Sequence, residues 1–197
     1  VWRNMHAGDI YRADALGIGT SSARWLSLLV LGWLIRNPPR SLLDNSPLND
    51  LLNKHLDFSG IDRSIAKGAL HALSITASGY ESGESISFFQ AHASAHPWRR
   101  VQRLGIRAKI GVEHLLASSA IPFVFPPARI HREFFGDGSM RQLAPISPAI
   151  HLGAERVLIV GASRKNEYLD RQHVESHPSL AQIAGHALSS IFLDSLE

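Results

Sequence analysis

The 197-residue sequence predicts an α/β fold. Three observations carry that expectation. Residues 1–60 hold apolar side chains at helical spacing. Residues 73–90 switch to the period of two that belongs to strands. The stretch "RVLIVGAS" (156–163) is continuously apolar and β-branched, as strands covered on both faces of a parallel sheet are, and a new helical period follows it.

The elements follow in order. "RWLSLLVLGWLIR" (24–36) reads as an apolar helix between Arg24 and Arg36, stopped by "NPPR" (37–40). It falls short of the roughly 20 apolar residues a bilayer span requires. It has two readings, a buried core helix or a helix at a membrane surface or acyl pocket. "SLLDNSPLNDLLNKHLDF" (41–58) offers Asn45 or Ser46 as N-cap and Pro47 at the helix start, with Leu48, Leu51, Leu52 and Leu56 as its stripe. "DRSIAKGA" (62–69) suits one more short helix. "LSITASGY" and "SISFFQ", joined by "ESGE", form a β-hairpin.

Further on, "GVEHLLASSAIPFVFPP" (111–127) reads as a short helix entering a proline-stopped loop. "ARIHREFFGDGSM" (128–140) reads as a strand pair or strand and loop turning at Gly136-Asp137-Gly138. "APISPAIHLGA" (144–154) suits a helix with Pro145 or Pro148 near its start and Gly153 at its end. Leu180, Ile183, Ala184, Ala187, Leu188, Ile191 and Phe192 keep a helical period up to Glu197 without a stop signal. The sequence begins Val1-Trp2-Arg3, so both ends read as cuts through a longer protein.

Composition narrows the function classes. Hydrophobic residues make up 45% and charged residues 19%, ordinary for a globular chain. The formal charge is +3, and the densest basic cluster, "HPWRRVQR" (96–103), reads as a solvated loop or helix start, not as a nucleic-acid patch. There is no cysteine, which removes disulfides and thiolate metal sites. Of eleven histidines only His92 and His96 have i, i+4 spacing, and Pro97 pulls His96 away from helical geometry, so no metal is expected.

Three stretches could carry chemistry. Gly136-Asp137-Gly138-Ser139 places a carboxylate on a sharp turn, where it could serve a serine hydroxyl as base or be a plain turn. "LLASSAIPFVFPP" (115–127) lets a backbone pass close to a neighbour. Gly19-Thr20-Ser21-Ser22-Ala23 imitates a nucleophile elbow. An elbow needs a buried strand before it, and "IYRADALGIG" (10–19) has no β-branched run. Ser21 therefore reads as a helix cap.

"ASSAIPFVFPP", "FFGDGSM" and "APISPAIHLGAERVLIVGAS", in that order, resemble the patatin-like phospholipase family. The hairpin with its Gly-Glu turn and "SLLDNSPLNDLL" extend the likeness over roughly residues 1–165. The resemblance implies a three-layer fold with a mainly parallel sheet flanked by helices, here a single incomplete domain truncated at both ends. Its parts would be a mostly helical 1–69, the hairpin, Asp loop and core strand over 70–165, and the start of a C-terminal helix over 178–197. It implies a serine acyl hydrolase that cleaves lipid esters through a Ser–Asp dyad, without metal or organic cofactor. Asp137 would be the base, supported by Gly136 and Gly138. The family's G-G-G oxyanion loop and G-x-S-x-G elbow do not occur in the sequence, so this chain alone is expected to be inactive. Ala144 stands where many relatives carry Asn. The implied partner is a lipid or acyl ester with peripheral membrane contact, and the implied place is the cytoplasm or a membrane surface. Two other readings stay open. One is a lipid- or membrane-binding member without catalysis. The other is a nucleotide-binding α/β module, suggested by "RVLIVGASR", which lacks G-x-G-x-x-G.

Overall fold

The computed structural model describes residues 6–12, 41–141 and 146–160. The expected helices over 24–36 and from Leu180, together with Ser21 and Ala144, lie outside the described residues.

The hairpin forms as its alternation dictates. β1 (Ala72–Gly79) pairs antiparallel with β2 (Ser85–Ala91), from Ala72 opposite Ala91 to Ser78 opposite Ser85. The turn uses Gly83 at φ 66°, a left-handed conformation that glycine adopts without strain. Leu73, Ile75 and Ala77 join Ile86 and Phe88 on one face of the sheet. Ser74, Thr76 and Ser78 lie on the other with Ser85 and Ser87, where the Thr76 and Ser87 hydroxyls are 3.1 Å apart.

Four more strands complete one sheet: β3 (Trp98–Arg100), β4 (Arg103–Arg107), β5 (Ala128–Ile130) and β6 (Glu133–Asp137), in the order β3-β4-β2-β1-β6-β5. The mainly parallel sheet expected from the sequence is corrected here. Among the described residues only β2 and β4 run parallel; the other four pairings are antiparallel. Three of these are hairpins closed by short turns, and a short turn can join only antiparallel strands.

Two turns also differ from expectation. Most of 96–103 belongs to the β3–β4 hairpin, which starts at Trp98 and turns with Gln102 at φ 58°, in place of a solvated loop or helix start. The turn within 128–140 falls at His131, at φ 54°, so Gly136 and Asp137 end β6 and Gly138 opens a 3-10 turn, Gly138–Arg141.

The helices lie where capping and apolar spacing place them. α1 (Ser46–His55) begins after Asn45 with Pro47 in its first turn. The Asn45 side chain makes no cap; the Asp44 carboxylate accepts from the Ser46 N–H and hydroxyl instead. α2 (Ser59–Ala66) follows, and α3 (Val112–Ser118) packs on the sheet through Val112, His114 and Ala117. α4 (Ser147–His151) has Pro148 in its first turn, and Gly153 follows at φ 91°.

The core has two parts, one on each face of the sheet. Beneath α3, Phe88 meets the rings of Phe135 and His114 edge-on at 5.3 and 4.8 Å. On the other face Trp98 stacks between Phe89 and His151. The expected buried strand does not form over its described part. Residues 156–160 carry no strand, and Leu158 and Val160 are 89% and 87% exposed. A strand needs a neighbour to pair with, and no strand among the described residues lies beside this segment.

Candidate active site

Asp137 is the last residue of β6, and the backbone around it is tied down from three sides. Its N–H donates to the Ala120 carbonyl at 3.0 Å, which stitches the small-residue stretch after α3 to the Asp loop. Ala117 and Ala120 are fully buried, and their small side chains permit that approach. Gly138 rests on β1: a Cβ at this position would overlap the Thr76 carbonyl oxygen. Gly136 lies under the ring of Tyr80.

The carboxylate is oriented locally. Asp137 Oδ1 accepts from the Ser139 N–H and the Ser139 hydroxyl, both at 2.8 Å. Both bonds fall on one oxygen, which leaves Oδ2 as an acceptor for a further donor. The charge is felt nearby. Burial, and then the negative charge of Asp137, hold the Tyr80 hydroxyl above its ordinary pKa.

Asp137, Gly138 and Ser139 open onto a cavity of about 670 Å³, walled also by Ser118 at the end of α3 and by Pro148 and Leu152 around α4. Its remaining wall is an unpaired strand edge. In β1 the His71 carbonyl and the Gly79 N–H bond toward β2, so by alternation the backbone groups of Ala72, Ser74 and Thr76 point the other way. β6 pairs with β1 only from Ala77 to Gly79. Ala72 and Ser74, beyond that pairing, therefore present unpaired N–H and C=O groups to the cavity among the described residues.

A carboxylate fixed through one oxygen, in a cavity, beside open backbone donors, is suited to hold and deprotonate a hydroxyl brought against it. A sequence model described as Patatin-like phospholipase matches residues 3–150, well over half of the chain. The chain belongs to the patatin-like phospholipase family. No curated protein and no solved structure matches it. Membership of the patatin-like family places the chain among lipid acyl hydrolases, and the six-stranded α/β sheet is consistent with it.

The structure brings Asp137 and its flanking Gly136 and Gly138 against the 115–127 stretch through the Ala120 carbonyl. His92 and His96 are both exposed. His92 contacts Ser94 and lies 5.8 Å from the His71 ring, and among the described residues no group of three metal-binding side chains gathers. Sequence reasoning gave Ser139 no role of its own and missed Tyr80 and the open edge of β1. Ser139 had a signal, because a serine two residues after Asp is placed to donate back to the carboxylate. Tyr80 had none, since it reaches Gly136 only across the β1–β6 pairing.

Proposed function

We propose that Asp137 is the base of a Ser–Asp dyad that hydrolyses lipid acyl esters. The observation that carries this reading is the Asp137 carboxylate, bound through Oδ1 alone, in the cavity bordered by the open edge of β1. A serine hydroxyl on a strand seated along that edge donates to Asp137. Its oxygen attacks the ester carbonyl carbon as its proton passes to the carboxylate. The tetrahedral adduct then expels the alcohol, which takes that proton from Asp137. Water, deprotonated by the same carboxylate, next attacks the acyl-serine and releases the fatty acid, and the proton returns to the serine.

The chain contains no G-x-S-x-G and no G-G-G motif, so we assign the nucleophile and the oxyanion donors to sequence outside these 197 residues. On this reading the 197 residues by themselves hydrolyse nothing. The same missing motifs favour a second reading, a family member that binds lipid without cleaving it.

The full-length protein assayed on a short-chain nitrophenyl ester decides between them. Asp137→Asn is expected to lower kcat by about 10²–10⁴-fold, the usual loss for a general base, while Ser21→Ala leaves turnover intact. Undiminished turnover in Asp137→Asn removes Asp137 from the mechanism. A large loss in Ser21→Ala makes Ser21 the nucleophile. No turnover in the unaltered full-length protein selects the lipid-binding reading.

A further inference from the structure

A second concave site lies on the α3 side of the sheet and shares no lining residue with the Asp137 cavity. Two adjoining cavities of about 440 and 500 Å³ have Phe88, Ile106, Ile130 and His131 in common and so form one groove. Each falls within the range of about 300–1,000 Å³ typical of small-molecule sites.

The floor of the groove is apolar. Ile86, Phe88, Ile130 and Phe135 are 3–5% exposed and belong to the core, with Ile106 at the mouth.

The rim is cationic and its charge is unspent. Lys109 and Arg132 are exposed at it, and Arg129 lies over the Phe134 ring. None of the three makes an ion pair among the described residues. Two acids also line the groove: Glu133 accepts from the Ser82 N–H, and Glu113 stands at the His114 end. Arg107 is not part of this free charge, because its guanidinium donates to the carbonyls of Ala91, His92 and Ala95.

One wall contains an unanswered polar atom. His114 Nδ1 accepts from the Gly111 N–H, which leaves the proton of the neutral ring on Nε2, and Nε2 is buried without a partner.

We propose that this groove binds a single-chain carboxylate amphiphile, a fatty acid, with its alkyl chain over Phe88, Ile106 and Ile130 and its carboxylate at Lys109 and Arg132. The site does not depend on Asp137, so the proposal stands apart from the catalytic reading.

Calorimetric titration of the full-length protein carrying Asp137→Asn tests it without turnover. The probes are octanoate, decanoate and dodecanoate below their micelle concentrations, with decanol and decyltrimethylammonium as head-group controls. Affinity is expected to rise up to about fourfold per added methylene as the chain is buried. Decanoate should bind more tightly than either control. Lys109→Glu combined with Arg132→Glu should weaken decanoate by about tenfold, from two partly exposed charge contacts, and remove its advantage over decanol. Both residues are exposed, so thermal unfolding of the double variant should match that of the parent. Equal binding of decanoate and decanol overturns the proposal, as does an unaffected double variant. Binding to phosphatidylglycerol vesicles with none to the monomeric acids also overturns it and makes the rim a membrane contact.

Discussion

Two glycines flank Asp137, and the contacts of each set a different constraint. A methyl group on Gly138 would run into the Thr76 carbonyl, which belongs to the backbone of β1 and cannot retreat without disturbing the sheet. A methyl on Gly136 would meet the Tyr80 ring and hydroxyl, a side chain that can swing aside. Gly138→Ala is therefore expected to destabilise the protein by about 1–3 kcal/mol, the usual cost of overpacking, and Gly136→Ala by less. Urea denaturation of both variants checks the order, and the reverse order would show that the loop is not seated on Thr76. At this scale the sequence was informative. Gly136, Asp137 and Gly138 stand out as a motif of an acid between two glycines, and Gly138 is required by the β1 backbone beneath it. The partners of those residues were hidden, since Thr76 and Tyr80 lie more than fifty positions away in the chain.

Among the elements, legibility tracks how local the stabilising contacts are. The β1–β2 hairpin is written in its alternation and in Gly83, both of which act within a few residues. The β3–β4 hairpin is not, because "HPWRRVQR" lacks an apolar alternation. Its strandedness comes from pairing β4 to β2 and stacking Trp98 on Phe89, while Arg99 and Arg100 stay exposed on the edge strand, where charge discourages further pairing. Arg107 fastens this region by donating to three carbonyls of the 91–95 segment. Arg107→Ala should cost about 1–3 kcal/mol, the desolvation penalty of acceptors left unmet, and should speed hydrogen exchange in β3 and β4 before β1. Arg107→Lys should recover only part of that loss, because an ammonium cannot span the same fork. Unchanged exchange in β3 and β4 would show that the guanidinium is dispensable.

For the whole molecule, the buried His114 links stability to pH. Burial is the largest influence on it and lowers its pKa, against the opposing pull of Glu113. The unfolded chain, with an ordinary histidine pKa of about 6.5, takes up the proton first as pH falls. Stability from this group is full above that pH and is lost as pH drops from there toward the lower folded value. Unfolding midpoints in urea should fall between pH 7.5 and pH 5, and His114→Phe should flatten the decline. An equally steep decline in the variant would assign the acid sensitivity to other groups.

The sequence by itself determined the α/β class, the first hairpin, the short helices after Asn45 and Gly111, and the Asp137 motif. Each depends on the period of apolar residues, a cap or a glycine acting within a few positions. Tertiary structure alone decided the antiparallel order of the sheet, the turn at His131, the exposure of residues 156–160, and the cavity formed where β1, β6, α3 and α4 meet. The reason is physical. A local pattern fixes which side chains want cover and which backbone groups want partners. Only the three-dimensional arrangement of distant segments fixes which neighbour supplies them, and the apolar run 157–160 stays exposed where no strand among the described residues comes alongside.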